Sequence, residues 1–127
     1  MDFISSHGTK SIGLPFSDAV RAGNVLHLSG QIGNLPGRLE LMPGGLGPET
    51  RQMMENIARV LNSAGLSFND VFKCTAMLSD MSRWAEFNEI YVSYFEVNRL
   101  PARSAFGVSA LALGAAVEME CCAWMGT

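Results

Sequence analysis

The run Val71–Leu78 (Val-Phe-Lys-Cys-Thr-Ala-Met-Leu) is continuously β-branched or apolar. A run of that kind reads as a central strand covered on both faces. Lys73 is assigned to its solvent or interface edge. A helical pattern stands on either side of it. Pro48 and Glu49 open the first, with proline in the first turn and an acid at the positive end of the helix dipole. Met53, Ile57, Val60, Leu61 and Ala64 then recur at three and four residues as one apolar stripe. Gly65 is its natural stop, and Met53-Met54 reads as core filler. Ser79 or Asp80 caps the second helix. Its stripe is Trp84, Phe87, Tyr91, Tyr94 and Phe95, facing core or interface. Asn98 and Arg99 end it, and Pro101 blocks any continuation.

The remaining strands are shorter. Phe3–Ser6 reads as an edge strand, and Val25–Ser29 as a strand ended by Gly30. Ser104–Ala110 and Val117–Trp124 form a last pair joined by Leu111–Ala115. Leu14–Ser17 is a loop because proline restricts Leu14 to extended geometry. Phe16 within it is a core plug or the wall of a pocket, with the plug favoured. Asn34–Pro48 is a Pro/Gly-rich loop with Arg38–Leu41 as a possible hairpin arm. The order is strand, strand, helix, strand, helix, strand, strand. It predicts an α+β two-layer sandwich, with one sheet, two helices on one face and partners covering the other. Residues 1–127 are read as one domain, large enough to hold together without disulfides or metal.

Hydrophobic residues make up 48% of the chain and charged ones 17%. Such a small chain exposes apolar patches unless it associates, so a homo-oligomer is expected. The net charge of -3 comes without any lysine or arginine block, which argues against nucleic acid as a partner. Cys74, Cys121 and Cys122 suggest no disulfide framework. His7 and His27 lack metal-ligand spacing. With no signal peptide and no membrane-spanning run, the expected compartment is reducing and cytoplasmic.

Three places carry candidate chemistry. Arg103, in Pro101-Ala102-Arg103-Ser104, offers a planar fork that fits a carboxylate with two hydrogen bonds. The bland alternative is an ion pair with an acid of the chain. Ser29-Gly30-Gln31 at a strand end is either a glycine bulge or a place of close approach. Glu118 and Glu120 share one strand face by their period of two. They are solvated in an oligomer channel or they face a site.

The ordered set Pro15-Phe16-Ser17, Ser29-Gly30-Gln31-Ile32, Asn56-Ile57, Ala64-Gly65-Leu66, Phe87-Asn88 with Tyr91, Pro101-Ala102-Arg103-Ser104 and Val117-Glu118-Met119-Glu120 resembles the YjgF, or Rid, family. The resemblance runs from about Pro15 to Trp124. It implies a chorismate-mutase-like fold and a homotrimer with sites in clefts between subunits. It also implies hydrolysis of 2-imino or 2-enamino acids, such as 2-aminoacrylate, to 2-keto acids and ammonia, without cofactor or metal. In that reading Arg103 grips the substrate carboxylate and Glu118 holds and polarises the water. Glu120 is the runner-up for the second role. Ser29 and Gly30 meet substrate or leaving group, Asn88 and Ala105 line the cleft, and Phe87 packs. Two positions depart from the family pattern: Phe16 stands where tyrosine is frequent, and Ala105 where cysteine is. A bulkier imine is then one alternative. A non-catalytic carboxylate-binding trimer is another, and a holdase or ribonuclease role a third.

Overall fold

In the computed structural model, which describes residues 1–126 without the His7 side chain, the chain runs in this order. It begins β1 (Asp2–Ile4), α1 (His7–Ser11), β2 (Ala19–Ala22), β3 (Val25–Leu28), β4 (Gln31–Ile32) and α2 (Leu46–Ser63). It continues β5 (Val71–Leu78), α3 (Trp84–Val92), β6 (Ala102–Gly107) and β7 (Val117–Trp124). The strands form one mixed sheet in the order β1-β2-β3-β7-β5-β6, with β4 also on β7. The run Val71–Leu78 is an interior strand as expected, antiparallel to β7 and parallel to β6.

Alternation fixes the two faces of the sheet. On β7, Val117, Met119, Cys121 and Ala123 are buried, while the residues between them are not. The buried set joins Met53, Met54, Ile57 and Leu61 of α2 and Phe87 and Tyr91 of α3 in a single core cluster. The opposite face leaves Phe106 and Trp124 about half exposed. The architecture is α+β, with a mixed sheet and few helices.

Helix α2 starts two residues before Pro48, whose missing N–H falls among donors that a first turn leaves unpaired in any case. Gly65 terminates it at φ 76°. The Leu66 N–H reaches the Leu61 carbonyl and the Gly65 N–H that of Asn62, a Schellman pair. Helix α3 is shorter than the aromatic stripe predicts and ends at Val92, not at Asn98–Arg99. The Tyr94 and Phe95 N–H groups bond three residues back, which tightens the exit. Both rings then pack edge-on against Phe68, at 5.5 and 5.2 Å between centroids, so the stripe continues without the helix. Strand β6 begins at Ala102, directly after Pro101, and stops at Gly107 instead of spanning Ser104–Ala110. Elements α1, β2 and β4 have no counterpart in the sequence reading.

Candidate active site

Strands β3 and β4 both lie on β7, but their registers differ. His27 faces Cys122 and Gln31 faces Met119, so four steps on one strand match three on the other. Ser29–Gly30 is therefore a one-residue bulge beside Glu120. Of the two sequence alternatives, the glycine bulge is what the fold contains, and what comes close to it is a side chain, neither another backbone nor a ligand. A Cβ on Gly30 would collide with Oε2 of Glu118, so only glycine lets that carboxylate rest there.

A cavity of about 1010 Å³ opens over this point. It is lined by Phe16, Ser29, Gly30, Glu118 and Glu120, five of the eight expected site residues. Phe16 is a wall of this cavity at 47% exposure, so the core-plug reading fails. Burial first, and the neighbouring Glu120 charge second, push the Glu118 carboxyl above the usual carboxylate range. Burial of this kind favours the protonated carboxyl over the charged one, and its oxygens face a cavity where a water can be held.

Buried polar residues hold the walls. Asp18 accepts the Ser6 N–H at 2.7 Å and the Thr9 hydroxyl at 2.6 Å, which seats α1 beside the cavity. The Ser29 hydroxyl donates to the Ser17 carbonyl at 2.6 Å, so its proton is spent on the Phe16 loop and only its lone pairs stay available. Asn56, 5% exposed on α2, donates through Nδ2 to the carbonyls of Ile32 and Asn34, each at 3.0 Å. Its Oδ1 accepts from Gln52 and Arg59. The first acid of α2, Glu49, accepts the Ala116 N–H at 2.8 Å and ties the helix to the start of β7.

Arg103, Ala105 and Asn88 stand elsewhere. Arg103 faces Cys74, and Cys74 faces Cys121, with the two sulfurs 3.6 Å apart on the helix side of the sheet. Cys121 and Glu118 are three residues apart on one strand, so Arg103 and Glu118 occupy opposite faces. The Arg103 guanidinium lies 4.8 Å from the Tyr91 ring centroid and 5.6 Å from that of Phe87. Among the described residues no acid pairs with it, so the ion-pair reading of Arg103 is not what the fold contains. Ala105 shares its side, next to Ala76. Asn88 sits on α3 between the two aromatic residues, and its Oδ1 is buried without a partner, as is the Tyr91 hydroxyl. Phe87 is fully buried packing, as expected.

A family model described as Endoribonuclease L-PSP matches residues 9–125. The chain belongs to this family, the YjgF/Rid family. It is 42% identical over 112 residues to a mouse protein named 2-iminobutanoate/2-iminopropanoate deaminase, covering 88% of this chain and 82% of the mouse one. A RutC family protein of Pyrococcus horikoshii is also 42% identical, over 94% of each chain. A crystal structure of a Rid-family protein from Yersinia pestis superposes with a TM-score of 0.89 at 34% identity, over 97% of this chain and 98% of that one.

Sequence reasoning about this Rid-family chain missed the roles of Asp18, Glu49 and Asn56. Asn56 did leave a signal, a polar residue three positions after Met53 on the apolar stripe. Asp18 left none, since its partners Ser6 and Thr9 belong to an unforeseen helix.

Proposed function

We propose that the chain is a cofactor-independent deaminase of 2-imino and 2-enamino acids, hydrolysing them to 2-keto acids and ammonia. We further propose that it works as a chorismate-mutase-like homotrimer, with Arg103 of one copy meeting Glu118 of the next. The observation that carries this reading is the separation of the two groups. Among the described residues, a cation without an acid partner and a partly buried carboxyl lie on opposite faces of one sheet, and in this reading a second copy joins them. The relatives named imine deaminases supply the reaction class. The half-exposed apolar residues on the open sheet face supply the reason to associate.

In this site the Arg103 fork binds the substrate carboxylate bidentately and orients the C=N carbon. Glu118 takes a proton from water as its oxygen bonds to that carbon. The tetrahedral adduct receives the proton on nitrogen. The adduct's hydroxyl proton then passes through Glu118 to the amino nitrogen, and the C–N bond breaks as the C=O bond forms, releasing ammonia and leaving the keto acid. The Gly30 N–H and the Ser29 lone pairs border the departing nitrogen. Asn88 and Ala105 line the arginine side and Glu120 the water side. We place the protein in the cytoplasm, where free thiols such as its three persist. RNA cleavage, which the family's description names, is disfavoured by nine basic residues against twelve acidic ones without a basic block.

Imines generated in situ by an amino-acid oxidase test the reaction through ammonia and keto-acid release. Complementation tests the cleft. Arg103→Ala and Glu118→Gln should each be inactive. Unfolding and reassembling them together should return about a quarter of the wild-type rate, because random mixing rebuilds that share of sites between copies. A site lying within one chain would return none. Phe16, without a phenol, leaves a binding-only reading open to one check: keto acids raise the melting temperature while no imine is turned over.

A further inference from the structure

Leu113 adopts φ 59° and ψ 16°, the only positive φ outside glycine among the described residues. Side chains are strained in that region, and glycine is its usual occupant. Packing does not impose the conformation, since Leu113 is 48% exposed and outside the core cluster. Glycine follows at once, as Gly114 with φ 71°, so a flexible residue was available one step along the same turn. Leu113 does line the cavity that contains Glu118. Backbone strain clusters at active sites and ligand-contacting walls, which makes Leu113 a candidate for such a position.

Phe16 belongs to the same cavity and is equally half exposed. Leu14 and Leu39 add further apolar lining. In a single chain, before a second copy adds its arginine wall, the cavity holds about 1010 Å³, the upper end of what drug-sized ligands occupy.

We infer that Leu113 and Phe16 set the specificity of this site, selecting 2-imino acids with large apolar side chains, such as those derived from leucine, methionine or phenylalanine, over the alanine-derived imine. The inference rests on the deaminase reading and names its substrate class. With the C=N carbon held beside Glu118, a substrate's apolar substituent has these two side chains as partners within one cavity. Each methylene it buries there adds to the difference between substrates.

The test compares kcat/KM for leucine-derived and alanine-derived imines, in wild type and in Leu113→Gly. Glycine suits the left-handed backbone, so this variant keeps the turn and should melt no lower than wild type. Wild type should favour the leucine-derived imine, and Leu113→Gly should cut that ratio by about tenfold, the effect of a lost hydrophobic contact. A wild-type preference for the alanine-derived imine overturns the inference. So does a ratio unmoved in the variant, or a variant that falls to monomers in light scattering, because Leu113 would then be a subunit contact. Melting shifts with 4-methyl-2-oxopentanoate and pyruvate separate the two readings. A shift with the branched keto acid alone, lost in Leu113→Gly, upholds the specificity even if no imine is turned over, and only the deaminase reading then falls. No shift with either keto acid and no turnover sinks both.

Discussion

Arg103 stands on an edge strand with its guanidinium against two aromatic rings of α3. Glu118 stands on an interior strand against a glycine bulge and an open cavity. The arginine packs against those rings, and among the described residues no hydrogen bond or acid competes for its donors. The carboxyl rests against Gly30, and around it part-buried hydrogen bonds of Asp18, Ser29 and Asn56 hold the neighbouring segments. The two halves should therefore fail differently. On the arginine side, substitutions should reach binding without touching the fold. On the carboxyl side, framework changes should move stability and activity together.

The largest expected effect is on the arginine side. Arg103→Ala should lower kcat/KM at least about 10²-fold, mostly through KM, because substrate loses its orienting anchor. Arg103→Lys should recover little of it, since an ammonium cannot form the bidentate fork. Both variants should change unfolding free energy by no more than about 1 kcal/mol, the scale of the ring contacts given up. A large loss of stability in urea titration would show that Arg103 is structural after all.

Next comes Gly30→Ala on the other side. Its new methyl group and the Glu118 carboxylate cannot share one place. We expect kcat to fall about 10²-fold, the cost of a displacement near 1 Å, with KM less affected because the Arg103 anchor is untouched. Steady-state kinetics separates the two constants. Unchanged kcat would mean that the position of Glu118 against Gly30 has no bearing on the chemistry.

Much of this contrast was legible in the chain. Period-two spacing put Glu118 and Glu120 on one face, and the apolar run Val71–Leu78 located the middle of the sheet. Local pattern was enough there, because each depends on residues close in sequence. What stayed hidden depends on register between distant segments. That Arg103 and Glu118 face opposite ways follows from Arg103 facing Cys74 and Cys74 facing Cys121, pairings that no local spacing reveals. The bulge at Ser29–Gly30 exists only relative to β7. Asp18 acts on α1, a single turn too short to leave a hydrophobic period. Phe16 looked like a core plug because an aromatic beside proline gives no sign of whether a cavity lies next to it.

A third pair of substitutions compares the halves by stability alone. Asn56→Ala strands the carbonyls of Ile32 and Asn34, and should cost about 2 to 3 kcal/mol. Tyr91→Phe on the arginine side removes a buried hydroxyl whose one polar neighbour among the described residues is the weakly bonding Cys74 thiol, so it should be close to neutral. Chemical denaturation of the two variants side by side reads the difference. Equal losses would mean that both halves lean on polar networks, and the contrast would collapse.

The smallest effect concerns the two carboxyls. Burial, and then Glu120, raise the Glu118 carboxyl above its value in the unfolded chain. Folding therefore favours its protonated form. That contribution is fully present below the unfolded value and is lost as pH rises through the raised folded one. Above that raised value the fold carries a charged, partly desolvated Glu118 at some cost. Glu118→Gln should then raise the melting temperature by a few degrees at neutral pH and by nothing in acid, even as it abolishes activity. Glu120→Gln should leave the enzyme active and move the acidic limb of its kcat/KM profile to lower pH, because removing a neighbouring negative charge lets Glu118 ionise sooner. If the limb stays where it is, the base is a different group. The carboxyl half would then owe its geometry to the bulge and the cavity, with no electrostatic part played by its neighbour.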